Sequence, residues 1–114
     1  MKNPIALPKY FRKDSSIKTV EITGREWFDK VNGNSYNSVQ VIVNQGLKNE
    51  FSFKIGIQYG YGDYYIQSAV EQLVKMGAAS EYNQFFRLSN NNKFKLFTHI
   101  TRNCRKSEVK EWGI

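Results

Sequence analysis

Between Phe51 and Met76 the spacing of apolar residues changes period once, and that change constrains the fold more than any other feature of the chain. Phe51, Phe53, Ile55 and Ile57 alternate with Ser52 and Lys54, and Gln58 follows on the polar side, which is the two-residue period of a half-buried strand. Ile66, Ala69, Val70, Leu73 and Met76 then recur at three- and four-residue spacing, with Gln67, Glu71, Gln72 and Lys75 on the wet side. This is an amphipathic helix. The junction is Tyr59-Gly60-Tyr61-Gly62-Asp63-Tyr64-Tyr65. Asp63 suits the N-cap, where its carboxylate would accept from free first-turn amides, and Gly77 suits the closing position. A half-buried strand passing directly into an amphipathic helix predicts a helix laid on a sheet.

The remaining strands follow from the same patterns. Ile17 to Thr23 alternates, and Gly24 is expected to end that strand. Glu26 to Val31 reads as the start of another, and Asn32-Gly33-Asn34-Ser35 as its turn, because Asn and Gly tolerate positive φ. Val39, Val41 and Val43 then supply a half-buried hairpin arm. Residues 78–92 fit either a short helix or a packed loop, with Tyr82, Phe85, Phe86 and Leu88 as its apolar members. Lys93 to Arg102 alternates again, with Phe94, Leu96, Thr98 and Ile100 on one face and Lys95, Phe97, His99 and Thr101 on the other. The expected class is α+β: a mostly antiparallel four- to five-stranded sheet, a meander of hairpins, with one amphipathic helix on one face. At 114 residues the chain suits one domain, expected over 17–102, with a flexible basic arm over 1–16 and a basic tail over 103–114. The tail has room for a helical turn or two.

Charge is unevenly spread. The net charge is +7, yet residues 1–18 carry five basic residues against one acidic, 87–114 carry seven against two, and 19–86 carry five against seven. Positive ends favour polyanionic partners. In the arm, Tyr10 and Phe11 stand beside Arg12 and Lys13, a composition suited to stacking on bases while the cations meet phosphates. Lys54, Lys93, Lys95, Phe97, Arg102, Arg105, Lys106 and Trp112 are the candidate nucleic-acid-binding residues, with Lys54, Lys95, Phe97 and Arg102 sharing a sheet face if their strands are neighbours. Tyr61 is a further candidate stacking group.

Catalytic and metal chemistry has little to draw on. Cys104 is the one cysteine, which excludes an internal disulfide and a multi-cysteine metal site. Arg102 and Arg105 beside it would lower its pKa if they face the thiol. His99 stands alone in a strand pattern, and the carboxylates are scattered. Gly60-Tyr61-Gly62 lacks the third glycine and the Lys-Ser/Thr of phosphate-binding loops, and Asp63 would repel a phosphate. No catalytic residue, cofactor or metal is therefore expected. Tyr59, Tyr61, Tyr64 and Tyr65 in seven residues form instead a candidate protein-contact surface. No apolar run is long enough to span a bilayer and the first residues lack a secretory pattern, so a cytoplasmic location is expected, that of the host cell if the protein is viral. The abundance of Tyr and Phe makes a homodimer an expectation as well.

The segments 27–36 (Trp27-Phe28-Asp29-Lys30-Val31-Asn32-Gly33-Asn34-Ser35-Tyr36) and 59–65, joined by short strands, resemble small uncharacterised proteins of phages and prophage-like elements. The resemblance covers roughly residues 18–76. It implies a viral or mobile-element origin and brings no catalytic residues. Two functions are then expected in order: a non-catalytic binder of nucleic acid or a nucleoprotein complex, and a viral-type inhibitor of a host defence enzyme acting through the tyrosine turn. A small-ligand sequestering protein is the third.

Overall fold

The computed structural model describes residues 17–48, 50–76, 78–79, 81–91 and 93–112; the arm over 1–16 and Gly77 lie outside them. The chain is α+β, in the order β1 (Thr19–Asp29), β2 (Asn34–Val43), β3 (Phe51–Tyr59), α1 (Tyr64–Lys75), α2 (Tyr82–Asn90), β4 (Lys95–Thr101) and α3 (Lys106–Lys110). The four strands form one sheet in the order β3-β2-β1-β4. β1, β2 and β3 pair antiparallel as consecutive hairpins, and β4 pairs parallel to β1.

That last pairing decides where the helices lie. Two hairpins leave β3 running in the direction of β1, and therefore of β4, at the opposite edge. A parallel crossover needs a long connection, and here α1 and α2 supply it by passing over one face of the sheet. Val20 and Ile22 of β1, Val39, Val41 and Val43 of β2, and Tyr65, Ala69, Val70 and Leu73 of α1 form the buried core, joined by Phe85 of α2 and Phe94 before β4. The opposite face carries Thr19, Glu21, Thr23, Arg25 and Trp27 on β1, because successive side chains alternate.

Three local expectations need correction. Gly24 does not end its strand: β1 runs through it. Its lack of a side chain serves packing instead, since a Cβ at Gly24 would lie 2.8 Å from ring atoms of Tyr65. Gln58 does not face away from the helix. A register shift opposite Asn37 and Val39 turns the end of β3, so that Gln58 pairs with Asn37 and its amide donates to Asn37 Oδ1 at 2.9 Å and to Ser68 Oγ of α1 at 2.8 Å. Asp63 stands at the N-cap of α1 but makes no side-chain capping hydrogen bond, so its carboxylate remains at the surface of the turn.

Residues 82–90, open between helix and loop in the sequence, are helical, with Phe85 fully buried and its ring 5.0 Å from that of Phe94 and 5.5 Å from that of Phe86. The segment expected as a tail leaves β4 and folds back over the helix-free face as α3. There Val109 and Trp112 are buried, and Arg25 of β1 reaches up to it: its Nη1 donates to Glu108 O at 3.1 Å and to Glu111 Oε1 at 3.0 Å, with its guanidinium 4.1 Å from the Trp112 ring centroid.

Candidate functional site

The tyrosine turn is held by buried polar contacts. Asn37, 1% exposed, donates from Nδ2 to Gly60 O at 3.2 Å while its Oδ1 accepts from Gln58. The Gly60 amide donates to Ser35 O at 3.0 Å and the Gly62 amide to Glu26 Oε2 at 3.2 Å. Glu26 lies on the helix-covered face and its other oxygen meets Arg102 Nη1 at 3.4 Å. Gly60 lets the backbone pass close to Tyr64, whose ring atom Cδ2 would be 2.4 Å from a Cβ. The result is a turn fixed from three strands, which displays Tyr59, Tyr61 and Tyr64 outward; Tyr61 is 73% exposed. Tyr65, expected with them, is 4% exposed and packs on Gly24. Its burial raises the phenol above its ordinary pKa, against the opposing effect of a hydrogen bond with Thr98. Tyr65 therefore belongs to the core and not to a contact surface.

A groove of about 770 Å³ opens between this turn and α2, with Tyr82 and Phe86 joining the three outward tyrosines along its wall. Their sequence signal was the i, i+4 aromatic pair, whose rings meet edge-on at 5.1 Å. Which wall they would face depended on α2 docking beside α1, which no local pattern specifies.

A second cleft, of about 540 Å³, lies at the tip of the β1–β2 hairpin, lined by Trp27, Phe28, Lys30, Arg105 and Lys106 together with Asp29, Val31, Asn103 and Cys104. Folding α3 back brings Arg105 and Lys106 to the hairpin, and Lys106 Nζ stands 5.4 Å from the Trp27 ring centroid, within cation–π range. Phe28 is 48% exposed. Asp29 also lines the cleft, so three cations there face one carboxylate, which closes the hairpin. It accepts from Asn32 Nδ2 at 2.8 Å and from the Val31 and Asn32 amides at 3.0 and 3.3 Å. The Asn32 side chain is the main cause that holds its pKa below the ordinary value, with Lys106 adding to it. Trp27, Phe28 and Lys30 were not singled out as site residues from the sequence. Their signal was a Trp-Phe pair next to a turn in an alternating strand, where one of two adjacent rings must turn away from the core.

The other expected cations divide. Lys54, Lys95 and Phe97 do share the face opposite α1 and α2, since the register aligns Lys54 with Gln40, Thr23 and His99, and Phe97 with Glu21. They are not neighbours: β3 and β4 are opposite edges, about 14 Å apart at ordinary strand spacing. Phe97 is 52% exposed and Lys54, Lys95 and His99 are exposed. Lys93 is exposed in the turn before β4. Arg102 does not share that face: it turns toward Glu26 on the covered face, with its side chain still 55% exposed. Trp112 leaves the candidate set: at 8% exposure, with Arg25 over its ring, it has no free face on which a base could stack.

Cys104 is buried, its amide donating to Glu26 O at 2.9 Å and its thiol to Thr101 O at 3.3 Å. Burial raises its pKa, which corrects the expectation of an activated thiol, since neighbouring cations are a smaller influence. Alkylation at mildly alkaline pH is expected to be at least about tenfold slower in the native protein than in denaturant; equal rates would contradict this burial. Among the described residues no group of three His, Cys, Asp or Glu side chains is placed to hold a metal ion, and no helix is long and apolar enough to cross a membrane. Comparison with protein-family models, with curated proteins and with solved structures yields no match.

Proposed function

We propose that this protein binds single-stranded nucleic acid without catalysis, through the basic cleft at the β1–β2 hairpin. The observation that carries this reading is the meeting of Lys30 with Arg105 and Lys106 around Trp27 and Phe28. Cations beside partly exposed rings suit a single strand, whose phosphates are neutralised while its bases stack. Duplex grooves are a poorer match, because the one helix that reaches the cleft, α3, is five residues long and packs against the sheet through Val109. At the β4 edge, exposed Lys95 and Phe97 offer a path for further nucleotides. The phage or mobile-element origin rests on the sequence resemblance alone.

Anisotropy titration of a labelled mixed-sequence single strand tests this. Binding is expected to weaken steeply with added salt. Phe28→Ala, at an exposed position, is expected to weaken it by about 1–3 kcal/mol at each salt concentration while leaving the salt slope unchanged. Salt-insensitive binding, or none at micromolar protein, would refute the proposal.

A further inference from the structure

The groove beside the tyrosine turn differs chemically from the basic cleft. Its walls are Tyr59, Tyr61, Tyr64, Tyr82 and Phe86, and among the described residues the one ionised side chain lining it is Asp63, with no Lys or Arg. In a chain of net charge +7 this is a local inversion of sign. Asp63 occupies the capping position of α1 without capping it, and among the described residues no hydrogen bond or ion pair engages its carboxylate. The Asn37 and Glu26 contacts hold the turn in place, so the rings are displayed from a fixed backbone.

We infer that this groove is a second binding site, which takes an extended peptide segment of a partner protein bearing an arginine or lysine side chain. Electron-rich ring faces attract a guanidinium or ammonium group, and a carboxylate at the same opening supplies the counter-charge. The partial positive charge at the start of α1 opposes a cation, but it amounts to about half an elementary charge and Asp63 carries a full one. Nucleic acid is the poorer occupant because the described residues of the groove offer no cation to a phosphate, and a small cation alone would leave most of about 770 Å³ unfilled. A peptide fills it with backbone and neighbouring side chains, for which the tyrosine hydroxyls offer hydrogen bonds. The site is independent of the nucleic-acid reading.

The test is a titration of isotope-labelled protein with a capped tri-arginine peptide, followed by the amide resonances of Gly60 and Gly62. Saturable shifts are expected in the millimolar range or below. Asp63→Asn, an isosteric change at an exposed position, should weaken binding about fivefold, and Tyr61→Ala by about two- to fivefold. Equal shifts with a tri-glutamate peptide, no shift with millimolar tri-arginine, unchanged affinity in Asp63→Asn, or competition by an oligothymidylate for the same two amides would each overturn the inference.

Discussion

Changing Lys30, Arg105 and Lys106 together to Glu is expected to weaken single-strand binding by at least about 100-fold near physiological salt, and to make the logarithmic salt dependence shallower by about 2. The second figure is the more diagnostic. Each phosphate contact to a single strand contributes about 0.7 to that slope through counterion release, so three lost contacts have a defined signature that a general loss of folding would not reproduce. Lys30 lies in the turn between β1 and β2, and Arg105 and Lys106 are exposed, so the folded state should survive. Circular dichroism of the variant checks that directly. A matched change of Lys54, Lys93 and Lys95 to Glu should reduce the slope less, because these residues surround no cleft ring. If the two triple variants behave alike, binding is a diffuse response to net charge and the hairpin cleft has no special role.

Replacement of Phe85 by Ala should lower stability by about 3–5 kcal/mol, the usual range for truncating a fully buried phenylalanine. Phe85 has no exposed surface and its ring meets those of Phe86 and Phe94. It therefore couples α2 to the start of β4. Total stabilities of ordinary domains run to about 5–15 kcal/mol, so the melting temperature should drop by on the order of 15 °C or more. Tyr82→Ala, one turn earlier and exposed at the groove, should change stability by less than about 1 kcal/mol. Thermal or urea unfolding of the two variants separates a docked helix from a surface loop: similar small effects would mean that 82–90 is not anchored through Phe85.

Much of the fold was legible in alternation and helical spacing. The strands around Val39–Val43, Phe51–Ile55 and Phe94–Ile100, and the helix from Ile66 to Met76, show their buried faces in the sequence because burial imposes a period of two or about 3.6 on apolar residues; past Ile55 the register shift takes Ile57 off that face. Gly24 misled because a glycine in a strand signals either a break or a close approach, and only the Tyr65 ring lying over it distinguishes the two. Asp63 misled because a good capping residue at the right position need not cap. The parallel seat of β4 beside β1 was not legible either, since alternation is the same in either direction of pairing.

The sites divide in the same way. The four tyrosines of the turn and the basic residues near the chain's end were visible as composition, and the sequence by itself determined that the protein is an α+β chain with one strand-turn-helix junction and cationic ends. Tertiary structure alone decided which of those residues act together. Parallel pairing of β4 sends the chain out beside the β1 hairpin, so α3 returns across the open face, buries Trp112, joins Arg105 and Lys106 to Trp27, Phe28 and Lys30, and leaves Arg102 with Glu26. The physical reason is that local spacing reports whether a side chain is buried, whereas which distant side chain it meets depends on strand order and crossover path, which the core packing of the whole chain selects.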